Sequence, residues 1–576
     1  MTASEDSRMA RTAIVIGAGH NGLVTANYLA EGGFEVTVLE RRDIVGGACV
    51  TEELIPGFLC SSCAFVAGPG LEPRIWRDFD LSRYGLELYQ ADPLAVSIDR
   101  SGRSFLIHRE LDRTLAQIQM RFGRREAAKF VRFGARLERV ARLARPALLA
   151  DPPTFEELRD EFRRRGDGDL FDAFLTGSIA DLLDAHFEAE ELKGFFFFLS
   201  LTSVHGGPAS PGTAYVYSHH SWGEFDGRFG EFGFARGGMG AISNALAMRA
   251  REKGVRIRTE APVATIRVES GRATGVVLAD GEELDAAVVV SNADPKRTFL
   301  GLVDRSDLDS AFVERVEGLD YSGTMGRVHF AVDRLPRFSD FSGEVQAPHR
   351  AVTVLDTDTE AFERACQAQA RGEMIDDPPV EMTIQSVHDD SLTAPGTHII
   401  TTGIQQLPFE LASGSWDESR DRLVGQAKAA IERHAPGFES SIIEARALTP
   451  LDLEREYGLT GGNIFHGAMT PEQLFAGRPL PGYGSYHTPL DGLYLCGAGA
   501  HPGGGVTGAP GHNCARAVLL DRNLPFTGAT GRWDERDGRW YESLSRLLDR
   551  PGLGYLALAA ARNPRLRKLV DRVRSS

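Results

Sequence analysis

The hexapeptide Gly17-Ala18-Gly19-His20-Asn21-Gly22 does most to limit what this chain can fold into. It overlaps the end of the apolar run Thr12–Gly19, which has strand length, and opens the helical pattern from His20, which has Gly32 and Gly33 as its stop. A second buried strand, Glu35–Glu40, comes next. The unit is strand, glycine turn, helix, strand, which belongs in a parallel sheet. The glycines divide the work between them. Gly17 permits the tight turn, Gly19 lets backbone approach a pyrophosphate, and Gly22 brings helix close to strand. The helix start presents free N–H groups to phosphate oxygens. Glu40 stands 18 residues beyond Gly22, at the strand end, where a carboxylate holds ribose hydroxyls and repels a 2′-phosphate.

Those residues alone leave FAD and NAD open. The run Glu40-Arg41-Arg42-Asp43-Ile44-Val45-Gly46-Gly47-Ala48-Cys49-Val50-Thr51 resembles the E-x5-GG-x3-T extension of the large flavoprotein group that includes amine oxidases and phytoene desaturases. The stretch from Leu493 to Leu519 resembles the closing FAD motif of the phytoene desaturase-like flavoproteins. There a strand ends at Gly497 and the loop Pro502-Gly503-Gly504-Gly505-Val506 leads into a helix. Backbone N–H groups in such a loop face the pyrophosphate and the flavin edge where negative charge grows on reduction. Leu459–Gly511, the pair His219-His220, the turn at Gly237–Ser243 and Val289–Pro295 are similar to the phytoene-dehydrogenase-related subgroup called pyridine nucleotide-disulfide oxidoreductase domain-containing protein 2. The resemblance runs from about Thr12 to about Leu520. It departs at Gln406, where an aromatic is expected.

The resemblance implies FAD as cofactor. It implies a cofactor-binding set of Gly17, Gly19, His20, Asn21, Gly22, Glu40, Arg41, Arg42, Gly46, Gly47, Ala48, Thr51, Val263, Gly497, Gly499, Pro502, Gly503, Gly504, Gly505 and Val506. Arg42 corresponds to the arginine that the group places near the FAD adenosine and pyrophosphate. The fold class expected is α/β: a Rossmann-like FAD-binding domain built from three separated segments, plus a mixed-sheet substrate domain with an inserted helical lobe. We assign residues 11–75, 233–299 and 485–525 to the FAD domain, and 76–232 and 300–484 to the substrate domain. Leu115, Ile118 and Phe122, then Phe130, Phe133, Leu137 and Val140, fall at helical spacing within a lobe at about 111–205. Residues 526–576 form an appendix whose end is basic: Leu566, Leu569, Val570 and Val573 share one helical face amid a net +5 charge.

Several function classes are disfavoured. Six cysteines in 576 residues make no disulfide framework. Leu54 stands where a C-x4-C redox pair would need its second cysteine, and Cys60-Ser61-Ser62-Cys63 is read as two loop thiols. No second GxGxxG for a nicotinamide nucleotide follows a central strand. A formal net charge of -16 disfavours nucleic acid. There is no transmembrane run, no metal-ligand spacing and no secretion signal, so a cytoplasmic, bacterial setting is expected, with weak membrane-surface contact through the tail.

The function expected is FAD-dependent oxidation or reduction, desaturating or saturating a C–C bond of an apolar, isoprenoid or lipid-like substrate, with oxygen, a quinone or a protein as electron acceptor. Two alternatives stay open: an amine oxidase-like enzyme, and a non-catalytic flavin-stabilised regulatory or binding protein. No catalytic residue is fixed by motif. His219 and His220, beside Tyr215, Tyr217 and Trp222, are candidates at the substrate mouth, where near-neutral titration would suit proton transfer. Phe195–Phe198 reads as a buried helix or a tunnel wall.

Overall fold

A computed structural model describes residues 11–531 apart from 68–72, 203, 205, 226 and 227. The basic tail and its amphipathic face lie outside the described residues.

The first unit is β1 (Thr12–Ile16), α1 (His20–Glu31) and β2 (Glu35–Leu39). A hairpin of β3 (Thr51–Ile55) and β4 (Phe58–Ser61) follows, so Cys60 and Ser61 lie in a strand rather than in the expected loop. Next come β5 (Ala95–Ile98) and β6 (Ser104–Ile107), paired antiparallel across the Ser101-Gly102 turn. The helical part holds α2 (Leu111–Ala144), α3 (Glu190–Ser200) and α4 (Thr213–His220), among shorter helices. In α2 the chain leaves helical geometry once, at Gly123 (φ 88°). Leu115, Ile118, Phe133 and Val140 are buried on its inner face, and Phe122, Phe130 and Leu137 pack at the edge of the same core. Phe195–Phe198 of α3 is buried throughout, since four consecutive phenylalanines turn an apolar side chain to every side of that turn.

The chain then returns through α5 (Gly240–Glu252) to β7 (Arg256–Arg258). A three-stranded excursion, β8 (Val263–Glu269), β9 (Arg272–Leu278) and β10 (Glu283–Asp285), precedes β11 (Val288–Ser291). The remaining strands are β12 (Thr324–Val332), β13 (Val352–Leu355), β14 (Val380–Thr383), β15 (His398–Leu407), β16 (Ile442–Leu448) and β17 (Leu493–Leu495). Two helices complete the frame, α6 (Pro450–Tyr457) and α7 (Ala509–Asp521).

Two sheets organise the molecule. One is five-stranded and parallel, in the order β7-β2-β1-β11-β17. Its strands come from three distant parts of the sequence, and α1, α5 and α7 cover it. The central strands β1 and β11, with β17, are short apolar runs because both faces are buried, whereas the edge strand β7 carries Arg256 and Arg258. The other sheet is mixed and seven-stranded, β16-β12-β15-β14-β13-β5-β6, with only β13 and β5 parallel. The fold is therefore the expected Rossmann-like domain of separated segments with a mixed-sheet partner and a helical lobe. Among the described residues no helix is long and apolar enough to cross a membrane.

Candidate functional site

The cavity that matters opens at the carboxyl ends of β1, β2 and β11, where ligands of open parallel sheets bind. It measures about 320 Å³, within the range of roughly 300–1,000 Å³ of small-molecule sites. Its walls come from both sheets and from the helical lobe.

One half is built from the first βαβ unit. Gly17, Gly19, His20, Asn21, Glu40, Arg41, Arg42, Gly46, Gly47 and Ala48 line it, with Val263 from β8 and Gly504, Gly505 and Val506 from the loop before α7. Glu40 is held in place by accepting N–H bonds from Ala18 (2.8 Å) and Arg42 (2.9 Å). Arg42 pairs with Glu52 and lies 4.8 Å above the Tyr457 ring. Arg41 donates to the carbonyls of Arg455 and Glu456. His20 is pushed down to about 4 by burial and by His466 opposite, so its imidazole is neutral.

Other residues of the expected set support the walls from behind. A Cβ on Gly22 would stand 2.3 Å from the Gly17 carbonyl oxygen, so only glycine lets α1 start this close to β1. The Thr51 hydroxyl accepts from Gly240 N–H at the start of α5 (2.8 Å). Gly497 and Gly499 lie against Asn292 and Pro295, and Gly503 lies against Met469. Gly22, Thr51, Gly497, Gly499, Pro502 and Gly503 stand outside the cavity wall.

Four polar atoms of this half are buried without a hydrogen-bond partner: Asn21 Oδ1, Arg42 Nη1, Arg297 Nε and His466 Nδ1. Their residues all line the cavity. Orphaned buried polar groups are costly and call for a bound group. Carbonyl and guanidinium atoms around a glycine cradle at a helix start suit the ribose and diphosphate of a dinucleotide. The residues present therefore fit FAD.

The other half is largely apolar, with Phe198 and Leu199 of the lobe, Met325 of β12, and Ile464 and Phe465. Thr202, His220, Gln405, Arg327 and Glu381 interrupt it. Asn292, Arg297, Arg327, Glu381 and His466 escaped the sequence reading. Asn292 follows a buried strand of the parallel sheet, and Arg327 and Glu381 are charges inside apolar strands. Both patterns are visible in the sequence, but their convergence depends on long-range strand pairing.

The histidine pair differs from the expectation of near-neutral titration. His219 is pushed down to about 3, by burial first and then by His220. Burial also lowers His220. The Nε2–H of His219 donates to the Gly504 carbonyl (3.1 Å) and fixes the glycine loop. The Nδ1–H of His220 donates to Val216 O (2.7 Å), and its ring lines the cavity. The six cysteines are free and buried. Burial raises Cys49 and Cys60 to about 12 and raises Cys63 further. Gln406, where an aromatic was expected, is turned from the cavity and donates to Leu201 O (2.9 Å). Among the described residues no cluster of three or more His, Cys, Asp or Glu could hold a metal.

The sequence model of flavin-containing amine oxidoreductases matches residues 22–362, more than half of the chain. Pyridine nucleotide-disulfide oxidoreductase domain-containing protein 2 of Mus musculus is 38% identical over 88% of this chain and 93% of its own length. A limonene dehydrogenase polypeptide of Castellaniella defragrans is 24% identical over 89% of this chain and 95% of its own. Hydroxyneurosporene desaturase of Cereibacter sphaeroides is 28% identical over 88% and 97%. In three dimensions, an oxidoreductase from Methanosarcina mazei superposes with a TM-score of 0.56 at 17% identity, covering 88% of this chain and all of its own. Mammalian and bacterial relatives together remove the basis for the bacterial setting read from the sequence.

Proposed function

The chain belongs to the flavin-containing amine oxidoreductases and takes FAD as its cofactor, and from that premise we propose that it desaturates or saturates a C–C bond of an isoprenoid- or lipid-like substrate. The observation that carries this reading is the apolar second half of the cavity, continuous with the cradle at Glu40 and Gly46. Relatives named for limonene and hydroxyneurosporene support it.

The cofactor would be held by the Gly17–Asn21 turn, Glu40, Arg42, Gly46-Gly47 and the Gly504–Val506 loop. When bound, FAD supplies the two-electron acceptor or donor. Phe198, Leu199, Met325, Ile464 and Phe465 exclude water and press an apolar body into one orientation, which lowers the barrier by prepaying positional entropy. His219 fixes the loop that carries Gly504. The neutral His20 and His220 add dipoles to the wall without adding charge.

The test is anaerobic mixing of the yellow protein with terpenoid hydrocarbons, isoprenoid acids and esters, and a panel of primary and secondary amines. Bleaching of the flavin by terpenoids or lipids, and silence with amines, is expected. Bleaching by amines alone, with peroxide released in air, would overturn the reading in favour of amine oxidation. Re-admitting oxygen or a soluble quinone identifies the electron acceptor.

A further inference from the structure

The apolar half of the cavity holds a buried cation, two of whose donor nitrogens are unfilled. Arg327 is 4% exposed, its guanidinium lies 4.0 Å above the Phe65 ring, and its Nε and Nη1 have no hydrogen-bond partner. Glu381, 5% exposed, stands 3.8 Å away, an ion-pair distance too long for a hydrogen bond. Both line the cavity.

Strand register explains how the two meet. Arg327 on β12 and Glu381 on β14 are both opposite Gly403 on β15, the strand between them. Side chains in one such row project from the same face, with about 4.8 Å between neighbouring strands. The missing side chain at Gly403 leaves the space in which they approach. A Cβ there would lie 2.5 Å from Arg327 Nη1. Two cavity-lining neighbours complete the polar patch. Gln405 donates from Nε2 to Thr202 Oγ1 (2.9 Å), and its Oε1 is unpartnered.

A buried guanidinium with two nitrogens lacking hydrogen-bond acceptors is a costly arrangement that a hydrocarbon substrate would not relieve. Its free Nη1–H can donate to a carboxylate oxygen, and the carboxylate charge would answer the buried positive charge. We propose that the substrate is an apolar chain or ring bearing a carboxylate, and that Arg327, seated over Gly403, binds this carboxylate while the apolar body lies along Phe198, Leu199 and Met325. Arg327 is then a substrate-binding, specificity-determining residue. This rests on the reading of the cavity as the site of an apolar substrate.

Two matched pairs test it: geranic acid with methyl geranate, and oleate with methyl oleate. Each is titrated into FAD-loaded protein, and perturbation of the visible flavin spectrum reports binding without turnover. Wild type is expected to prefer each acid over its ester by ~10-fold or more. Arg327→Gln removes the preference, and Arg327→Lys, with charge but no fork, keeps part of it. Gly403→Ala, which leaves the arginine in the chain but crowds it, also weakens the preference, so a misfolded Arg327→Gln does not decide the matter. Equal binding of acid and ester, no binding of either acid, or an unchanged preference in both Arg327→Gln and Gly403→Ala overturns the proposal. So does loss of FAD from otherwise folded Arg327→Gln protein, which would assign the guanidinium to the cofactor. Bleaching by hydrocarbons or esters with no acid preference sinks this inference alone, whereas bleaching only by amines sinks the reading beneath it.

Discussion

Single residues set the electrostatics of the cavity, and two of them yield measurable consequences. Glu40 answers two backbone N–H groups and faces the cradle. Glu40→Ala leaves both donors without their acceptor and removes the carboxylate proposed to take ribose hydroxyls. Hydrogen bonds to charged groups contribute about 1.5–3 kcal/mol, so FAD affinity should fall ~10–100-fold. Retention of stoichiometric flavin through dialysis would contradict that. Glu381 is raised from 4.5 to about 7, by burial, with Arg327 pulling the other way. A carboxyl with a raised folded value stabilises the protein fully below its ordinary 4.5, and this contribution is lost as the pH rises through about 7. Wild type should therefore lose stability relative to Glu381→Gln between about pH 4.5 and pH 7. The maximum is about 3 kcal/mol, at 1.36 kcal/mol per unit. Denaturant titrations across this window measure it, and parallel curves for the two proteins would refute it.

At the scale of elements, the loops bordering the cavity are pinned by one fully buried cation. Arg478 is 1% exposed and donates to the carbonyls of Phe465, Gly467, Ala468, Gln473 and Ala498. It joins the 465–478 loop to the end of β17, and Phe465, His466 and Ala498 all line the cavity. Arg478→Met leaves those carbonyls unanswered. It should cost about 3–5 kcal/mol, the scale of breaking a buried charged network, and weaken flavin retention as well. Thermal unfolding and flavin release on the same sample check both effects, and an unchanged melting temperature would count against the role. This pin was not legible in the sequence, where Arg478 is one arginine in a loop rich in glycine and proline. Elements with local signals were legible. The β1-α1-β2 unit follows from Gly17–Gly22 and its flanking strands, and the lobe helices follow from 3.6-residue spacing. Thr51 shows the limit of a motif: its place in the Glu40–Thr51 run marked it for the cofactor, yet its hydroxyl holds the start of α5. Arg327 and Glu381 show the larger limit. They lie 54 residues apart in the chain and meet only because both pair with Gly403.

At the scale of the whole molecule, the cavity lies between the two sheets. Strands of the parallel sheet span Thr12 to Leu495 in sequence, so no contiguous segment can fold it alone. The cavity takes Glu40 and Gly46 from the parallel-sheet side and Arg327, Glu381 and Gln405 from the mixed sheet. The two sheets have separate cores, around Val15 and Val290 on one side and Phe330 and Ile404 on the other. FAD seated between them would answer the orphaned Asn21, Arg42 and Arg297 atoms and would tie the β1–β2 unit to the β17–α7 loop. A ligand that binds only the folded state adds about 2.7 kcal/mol at a hundredfold excess over its Kd. Removing FAD should therefore lower the melting temperature, and the shift should grow with the logarithm of added FAD. The apoprotein should also unfold in two steps, because the parallel sheet loses its filled face while the core of the mixed sheet keeps its own apolar contacts. Calorimetry of apo- and holoprotein measures both effects. A single transition at the same temperature in both would mean that the cofactor sits on a scaffold completed without it.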